Sequence, residues 1–345
     1  MRRTGGRRVV VVAAVVTALL AGLAVTARAD PTSPSVDLST PLAQASTTVA
    51  DSVVSPHEPL IFGTAAPTKA NLLEQEAIAG RHIAAVRIYR SWGEQLFGPD
   101  QVWERDTYHT LFVSIKPRRP DGTVVSWADI AAAQPGEPLY TDMQDMASQI
   151  TAFGARVFVT LSHEPEASGT TYGTGPQFAA AFRAFVTVLR TEHVPNASPV
   201  AIFTGYGFKR QDGENVDNYY PGDQYVTAVG VDLYNWADCR SKQWLPLSQI
   251  LEPAREWGLL HPSVPLLLTE WGSVEDPSNP DAKAQWITDS AKLLESPGWE
   301  QFAGLFAWGA LRTDSTDCPF GYDTSPQAEA AWAAVGQDPL FDAWE

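Results

Sequence analysis

The sequence predicts a (β/α)8 barrel, a single α/β domain in which eight strand-and-helix units close a parallel sheet on itself. Three observations carry that expectation. Short β-branched or Leu-rich runs alternate with longer stretches of helical spacing from about Glu58 to the carboxyl terminus. A stretch of about 290 residues suits one barrel better than two small domains. Polar and aromatic residues also collect just past the ends of the apolar runs, where a barrel of this kind gathers its functional groups.

The first residues stand apart from that pattern. Arg2, Arg3, Arg7 and Arg8 precede an apolar run from Val9 to Val25, and Ala27-Arg28-Ala29 offers small residues for cleavage before Asp30. This reads as a bacterial secretory signal over residues 1–29, exported by the general route or, through Arg7-Arg8, the twin-arginine route. Residues 30–57 are rich in Pro, Ser, Thr and Ala without a sustained period, and read as a flexible leader. The barrel domain is then expected over residues 58–345.

Eight strands are expected: Leu60 to Gly63, Ala84 to Tyr89, Leu111 to Ile115, Arg156 to Leu161, Val200 to Phe203, Ala228 to Leu233, Pro265 to Thr269 and Gly304 to Trp308. Each is a short apolar run of the kind a parallel strand buried on both faces requires. Helical spacing fills the intervals Lys69 to Gly80, Tyr140 to Phe153, Pro176 to Arg190, Leu247 to Trp257, Asp281 to Glu295 and Pro326 to Val335. In the third of these, Phe178, Phe182, Phe185, Val186 and Leu189 fall on one helix face. The interval Ser91 to His109 is punctuated by Gly and Pro and shows no clear helix.

Barrel topology turns sequence position into geometry. Arg90 and Trp92, Lys116, His163 and Glu164, Tyr206, Asp232 and Tyr234, Glu270, and Trp308 each follow a strand end and are expected to line one pocket. The fourth run ends in His163-Glu164 within RVFVTLSHEPE, and the seventh ends in Glu270 within PLLLTEWGS. Two carboxyl groups facing each other across a small barrel suit glycosidic bond cleavage, where one protonates the leaving oxygen and the other attacks the anomeric carbon. Glu166 competes with Glu164 for the acid role, or braces the loop that follows. Arg87 lies inside the second strand and suits a buried ion pair. His163 suits either sugar contact or a structural role, and Trp92, Trp127, Tyr206 and Trp236 either sugar platforms or packing.

The resemblance to a known family rests on three stretches in the right order. Tyr219 to Tyr234, YYPGDQYVTAVGVDLY, resembles the sixth-strand signature of glycoside hydrolase family 26, the endo-β-mannanases. His163-Glu164 resembles that family's acid/base site, and Leu267 to Gly272 its nucleophile strand. The resemblance implies Glu164 as acid/base and Glu270 as nucleophile. It further implies His163 near the reacting sugar, Tyr234 bonded to the nucleophile, Asp232 on sugar or neighbouring side chains, and Trp308 as the floor of the cleavage subsite. The chain departs from the family in carrying Thr160-Leu161-Ser162 where Arg-Pro is common two residues before His-Glu, Thr227 where Asp is common, and no aromatic close after Glu164. The implied activity is endo-hydrolysis of β-1,4-linked polysaccharide, most directly mannan. The alternatives are mixed-linkage glucan, xylan or β-1,3-glucan hydrolysis on the same scaffold, or a non-catalytic carbohydrate-binding barrel.

Composition agrees with a neutral sugar partner. The formal charge is −16, and removing the signal's five arginines leaves 19 basic against 40 acidic side chains. Such a surface repels nucleic acid and anionic lipid. Cys239 and Cys318 are the two cysteines, and an even pair in an exported chain is expected to form a disulfide, here between loops on the catalytic face. Neither cysteine has a second Cys or a His at ligand spacing, and no cofactor or metal is implied. The expected protein is an extracellular monomer, free of the membrane after signal cleavage.

Overall fold

The structure, a computed structural model, describes residues 59–240, 243–309 and 318–341. The expected signal and leader lie outside the described residues, which all fall within the unit Thr48–Glu345. Its eight strands form a closed parallel barrel in chain order: β1 Ile61–Ala65, β2 Ala85–Ser91, β3 Thr110–Lys116, β4 Val157–Leu161, β5 Ala197–Thr204, β6 Ala228–Asn235, β7 Leu266–Ser273 and β8 Phe302–Ala307. All eight expected strands are present, with ends moved by a few residues. The six expected helices are present too, at Lys69–Ala79, Pro138–Phe153, Gly175–Thr191, Leu247–Leu260, Ala282–Glu295 and Pro326–Gly336. The doubtful interval after β2 holds one further helix, Pro99–Asp106, begun by Pro99 in its first turn.

Two apolar layers hold the barrel together. Between sheet and helices lies a continuous core that includes Val86, Ile88, Leu111, Val113, Val157, Val159, Phe178, Phe182 and Phe185. Inside the sheet a smaller cluster comprises Ile61, Ala85, Phe112, Phe158, Val200, Ile202, Ala228, Leu267, Ala303 and Phe306. Strand alternation explains the division, since successive side chains point to opposite faces. Large rings need small neighbours in that narrow interior: a Cβ on Gly63 would stand 2.4 Å from the Phe306 ring.

One irregularity positions the chemistry. The β6–β7 register runs Val231 opposite Leu268, then Asp232 opposite Glu270, so Thr269 is an extra residue in β7. A bulge re-aims the side chains beside it. Leu267 faces the barrel interior and Leu268 the outer core. Thr269 and Glu270 then both point inward, Thr269 to Asp232 and Glu270 to Tyr89 and Tyr234.

Candidate active site

Above the interior apolar layer, the next inward residues are Arg87 on β2, Asp232 on β6 and Thr269 on β7. Arg87 is fully buried and donates Nη1 to Asp232 Oδ1 at 2.9 Å and Nη2 to Oδ2 at 3.3 Å. Its Nη1 also bonds the Thr269 carbonyl at 2.7 Å, and its Nε bonds the Ser114 hydroxyl at 3.1 Å. The Thr269 hydroxyl donates to Asp232 Oδ1 at 2.6 Å. The fork of a guanidinium matches a carboxylate in this way, and a buried pair needs such complete bonding to offset its desolvation. Asp232 therefore contacts neighbouring side chains and fixes the floor of the site.

One layer higher, Glu270 has both oxygens held. Tyr89 donates its hydroxyl to Oε1 at 2.7 Å, Tyr234 donates to Oε2 at 2.6 Å, and Arg87 Nη1 lies 3.1 Å from Oε1. Burial, aided by the negative charge of Glu270, pushes both phenols well above the usual tyrosine range, so they remain donors. A carboxylate fixed on three sides keeps its aim.

Glu164 sits on the loop after β4, where the backbone turns abruptly. Ser162 and Glu164 both adopt the left-handed conformation, with φ of 54° and 51°. Their amides are tied to the Ile115 and Ile202 carbonyls of β3 and β5. Non-glycine residues in that region cost about 1–3 kcal/mol each and persist where neighbouring structure enforces them. One oxygen each of Glu164, Asp232 and Glu270 lies within 4.8 Å of the others. Burial raises the Glu164 carboxyl well above the usual range, and the nearby Asp232, Glu270 and Glu166 charges reinforce it. Burial likewise raises the Asp232 carboxyl, to about 7, against the opposing charge of Arg87.

His163 stacks edge-on to Tyr89, with ring centroids 5.4 Å apart. Burial, with Arg87 nearby, lowers its imidazole to about 4, so the ring is neutral at neutral pH. Its Nδ1 is buried without a hydrogen-bond partner among the described residues.

A cavity of about 680 Å³ opens over these groups. Glu164, Asp232, Tyr234, Glu270 and Trp308 line it, as expected, and Tyr206 stands at its edge, 60% exposed. Trp236 lines it as well, packed edge-on against Phe320 at 4.7 Å. Four expected residues lie outside its lining: His163, Trp92, Arg90 and Lys116. Trp92 is fully buried, its indole nitrogen donating to Asp142 at 2.7 Å, and it belongs to the outer core instead of the pocket. Arg90 turns away to the Leu96 carbonyl and Gln101, and Lys116 is exposed outside the cavity lining. Trp127 is likewise fully buried, against Tyr172 and Phe178. Glu166 is buried and accepts from the amide and hydroxyl of Thr204 at 2.6 and 2.7 Å, joining the β4 loop to β5.

Tyr89 is the residue that sequence reading overlooked. As the last residue of an expected strand it reads as sheet, yet it shares parity with Arg87 two residues earlier and so faces inward.

The disulfide Cys239–Cys318 is present, with Cα atoms 5.5 Å apart. It ties the loop after β6 to the segment that leads to Phe320, whose ring packs on Tyr234 at 4.4 Å.

No family model matches the sequence. Over 204 residues, 55% of this chain, it is 28% identical to Endoglucanase H of Acetivibrio thermocellus, and the match spans 21% of that protein's length. Solved structures with the same fold include a family 26 β-mannanase from Bacteroides ovatus, with TM-score 0.58 and 17% identity over 82% of this chain and 90% of that one. A modular endo-β-1,4-mannanase from Cellulomonas fimi also matches, with TM-score 0.58 and 19% identity over 83% of this chain and 72% of the other. The family 26 domain of a Prevotella bryantii mannanase and glucanase matches with TM-score 0.56 and 13% identity, over 84% and 91% of the two chains.

Proposed function

We propose that this chain is a retaining endo-glycanase of glycoside hydrolase family 26 that cleaves β-1,4-linked polysaccharide, mannan first among the substrates. The observation that carries the reading is the pairing of Glu164 and Glu270. Their closest oxygens lie within 4.8 Å, and Glu270 is held by Tyr89, Tyr234 and Arg87. Retaining enzymes set their carboxyls about 5–5.5 Å apart, whereas inverting enzymes leave about 6.5–9.5 Å for a water. The family 26 mannanases of similar fold and the endoglucanase relative support the same reaction class.

In the first step Glu164 gives its proton to the glycosidic oxygen while Glu270 attacks the anomeric carbon, and the aglycone leaves. Esterifying Glu270 removes its charge, which lowers the proton affinity of Glu164. Glu164 then takes a proton from water, the water oxygen displaces Glu270, and both carboxyls return to their starting states. Trp308, which lines the cavity, packs beneath the sugar, and His163 packs edge-on against Tyr89, one of the donors to the nucleophile. Arg87, Asp232 and Thr269 hold the nucleophile layer without touching substrate.

The remaining assignments follow from sequence: signal peptide 1–29, leader 30–57, an extracellular catalytic domain over 58–345, and a monomer. Among the described residues no helix is long and apolar enough to cross a membrane. The endoglucanase relative favours β-glucan as the second substrate to try.

The test is release of reducing sugar from mannan, galactomannan, glucomannan, mixed-linkage glucan and xylan by wild type, Glu164→Ala and Glu270→Ala. The reading expects turnover of mannan that the Glu270 change abolishes and the Glu164 change lowers by at least roughly 100-fold. Binding without turnover on every substrate would identify a carbohydrate-binding barrel instead.

A further inference from the structure

A second cluster of ligand-type side chains stands at the opposite end of the barrel. Glu76 lies on the helix Lys69–Ala79, while His82 and His109 come just before β2 and β3, at the amino ends of the strands. Glu76 Oε1 is 3.0 Å from His82 Nδ1 and 3.2 Å from His109 Nε2, and the three donor atoms lie within 4.8 Å of one another. Zinc bonded tetrahedrally at 2.0–2.1 Å spaces its ligand atoms about 3.3 Å apart.

The far side of the His109 ring is also occupied. His109 Nδ1 lies 3.0 Å from the Glu104 carbonyl and 2.9 Å from the Thr107 hydroxyl. In the tautomer that donates Nδ1–H to that carbonyl, the lone pair of the neutral ring lies at Nε2, 3.2 Å from Glu76. An imidazole whose other N–H is held by a carbonyl is the usual outer arrangement around zinc, because that bond fixes both tautomer and ring orientation. Glu76 is oriented in turn by the Ile83 amide, which donates to Oε1 at 2.9 Å. The two rings pack 4.1 Å apart. His109 is buried, whereas His82 is 46% exposed on its side chain, which leaves an entry path and room for a water as fourth ligand.

We propose that Glu76, His82 and His109 form a zinc site that fastens the segments preceding β2 and β3 to the helix between β1 and β2. Two imidazoles and one carboxylate suit Zn²⁺ better than Mg²⁺ or Ca²⁺, which prefer oxygen ligands throughout. The role is structural, since strand amino ends in this fold carry stability and the mouth carries chemistry.

The experiment is equilibrium dialysis of the full chain against ZnCl₂ at neutral pH, with bound metal counted and Tm recorded. Wild type is expected to hold one Zn²⁺ and to gain several degrees in Tm. His82→Ala, at the exposed ligand, is expected to lose both effects, while Glu164→Gln keeps both. Zinc titration of wild type followed by NMR supplies a readout that depends on no variant: the His82 and His109 ring signals shift together and the His163 signals stay. No bound zinc would overturn the proposal and leave the trio as a histidine–carboxylate ion pair. So would zinc that survives His82→Ala and is lost in Glu164→Gln, since that places the metal at the mouth.

Discussion

At the scale of single residues, the site depends on how the two facing carboxyls are held. Tyr89 and Tyr234 donate to different oxygens of Glu270, so neither substitutes for the other. Tyr89→Phe removes one hydrogen bond to a charged group without opening a cavity, which corresponds to about 1.5–3 kcal/mol. Expressed on the proposed nucleophile, that lowers kcat roughly 10–100-fold with little change in KM, and steady-state kinetics on the preferred glycan check it. Glu166 offers a test by pH. Burial pushes its carboxyl to about 7, against the hydrogen bonds from Thr204. A raised carboxyl holds a proton in the folded chain that the unfolded chain has released. Its contribution is therefore fully present below about pH 4.5 and is lost as pH rises through 7, a cost of roughly 3 kcal/mol at most. Glu166→Gln should flatten the stability curve across that window in urea melts at several pH values, and parallel curves would contradict the assignment. The same change removes a negative charge near Glu164, so the alkaline limb of kcat moves to lower pH.

Elements explain why some of this was legible and some was not. Strand and helix positions were readable because a strand buried on both faces is a short apolar run and an amphipathic helix has a period near 3.6. The ends of β4, β6, β7 and β8 then supplied Glu164, Tyr234, Glu270 and Trp308. Position after a strand is a weaker guide at β2. That strand runs to Ser91, so Trp92 begins a turn that folds over the outer core instead of the mouth. Its bond to Asp142, which also pairs with Arg119 at 2.5 Å, makes it a brace for the helix Pro138–Phe153. Trp92→Phe should accordingly lower Tm and leave KM unchanged. The bulge at Thr269 had no local signal, because it is a property of the β6–β7 pairing. The disulfide was readable from cysteine count and compartment, but its effect on the site was not. Its cysteines are separated by 79 positions in sequence, and its reduction should cost about 2–5 kcal/mol. It should also raise KM, because Phe320 then loses its anchor against Tyr234.

For the whole molecule, the barrel separates its tasks along its axis. The interior apolar plug of Phe112, Phe158 and Phe306 closes the middle, Arg87 and Asp232 cap it, and the facing carboxyls of Glu164 and Glu270 sit above in a cavity that Trp308 and Trp236 also line. Protein donors already occupy both oxygens of Asp232 and both of Glu270. Chelator treatment is therefore expected to leave kcat unchanged, whatever it does to Tm through the cluster at the other end. An account built on an attacking carboxylate also fixes the stereochemistry of the product, which no binding or stability experiment reports. The most direct measurement is ¹H NMR of the first sugar ends released from a β-1,4-linked substrate, recorded before mutarotation. The account predicts that the β-anomer forms first and the α-anomer grows in later. An α-anomer at the earliest times would mean that water attacks directly, and would contradict Glu270 as nucleophile.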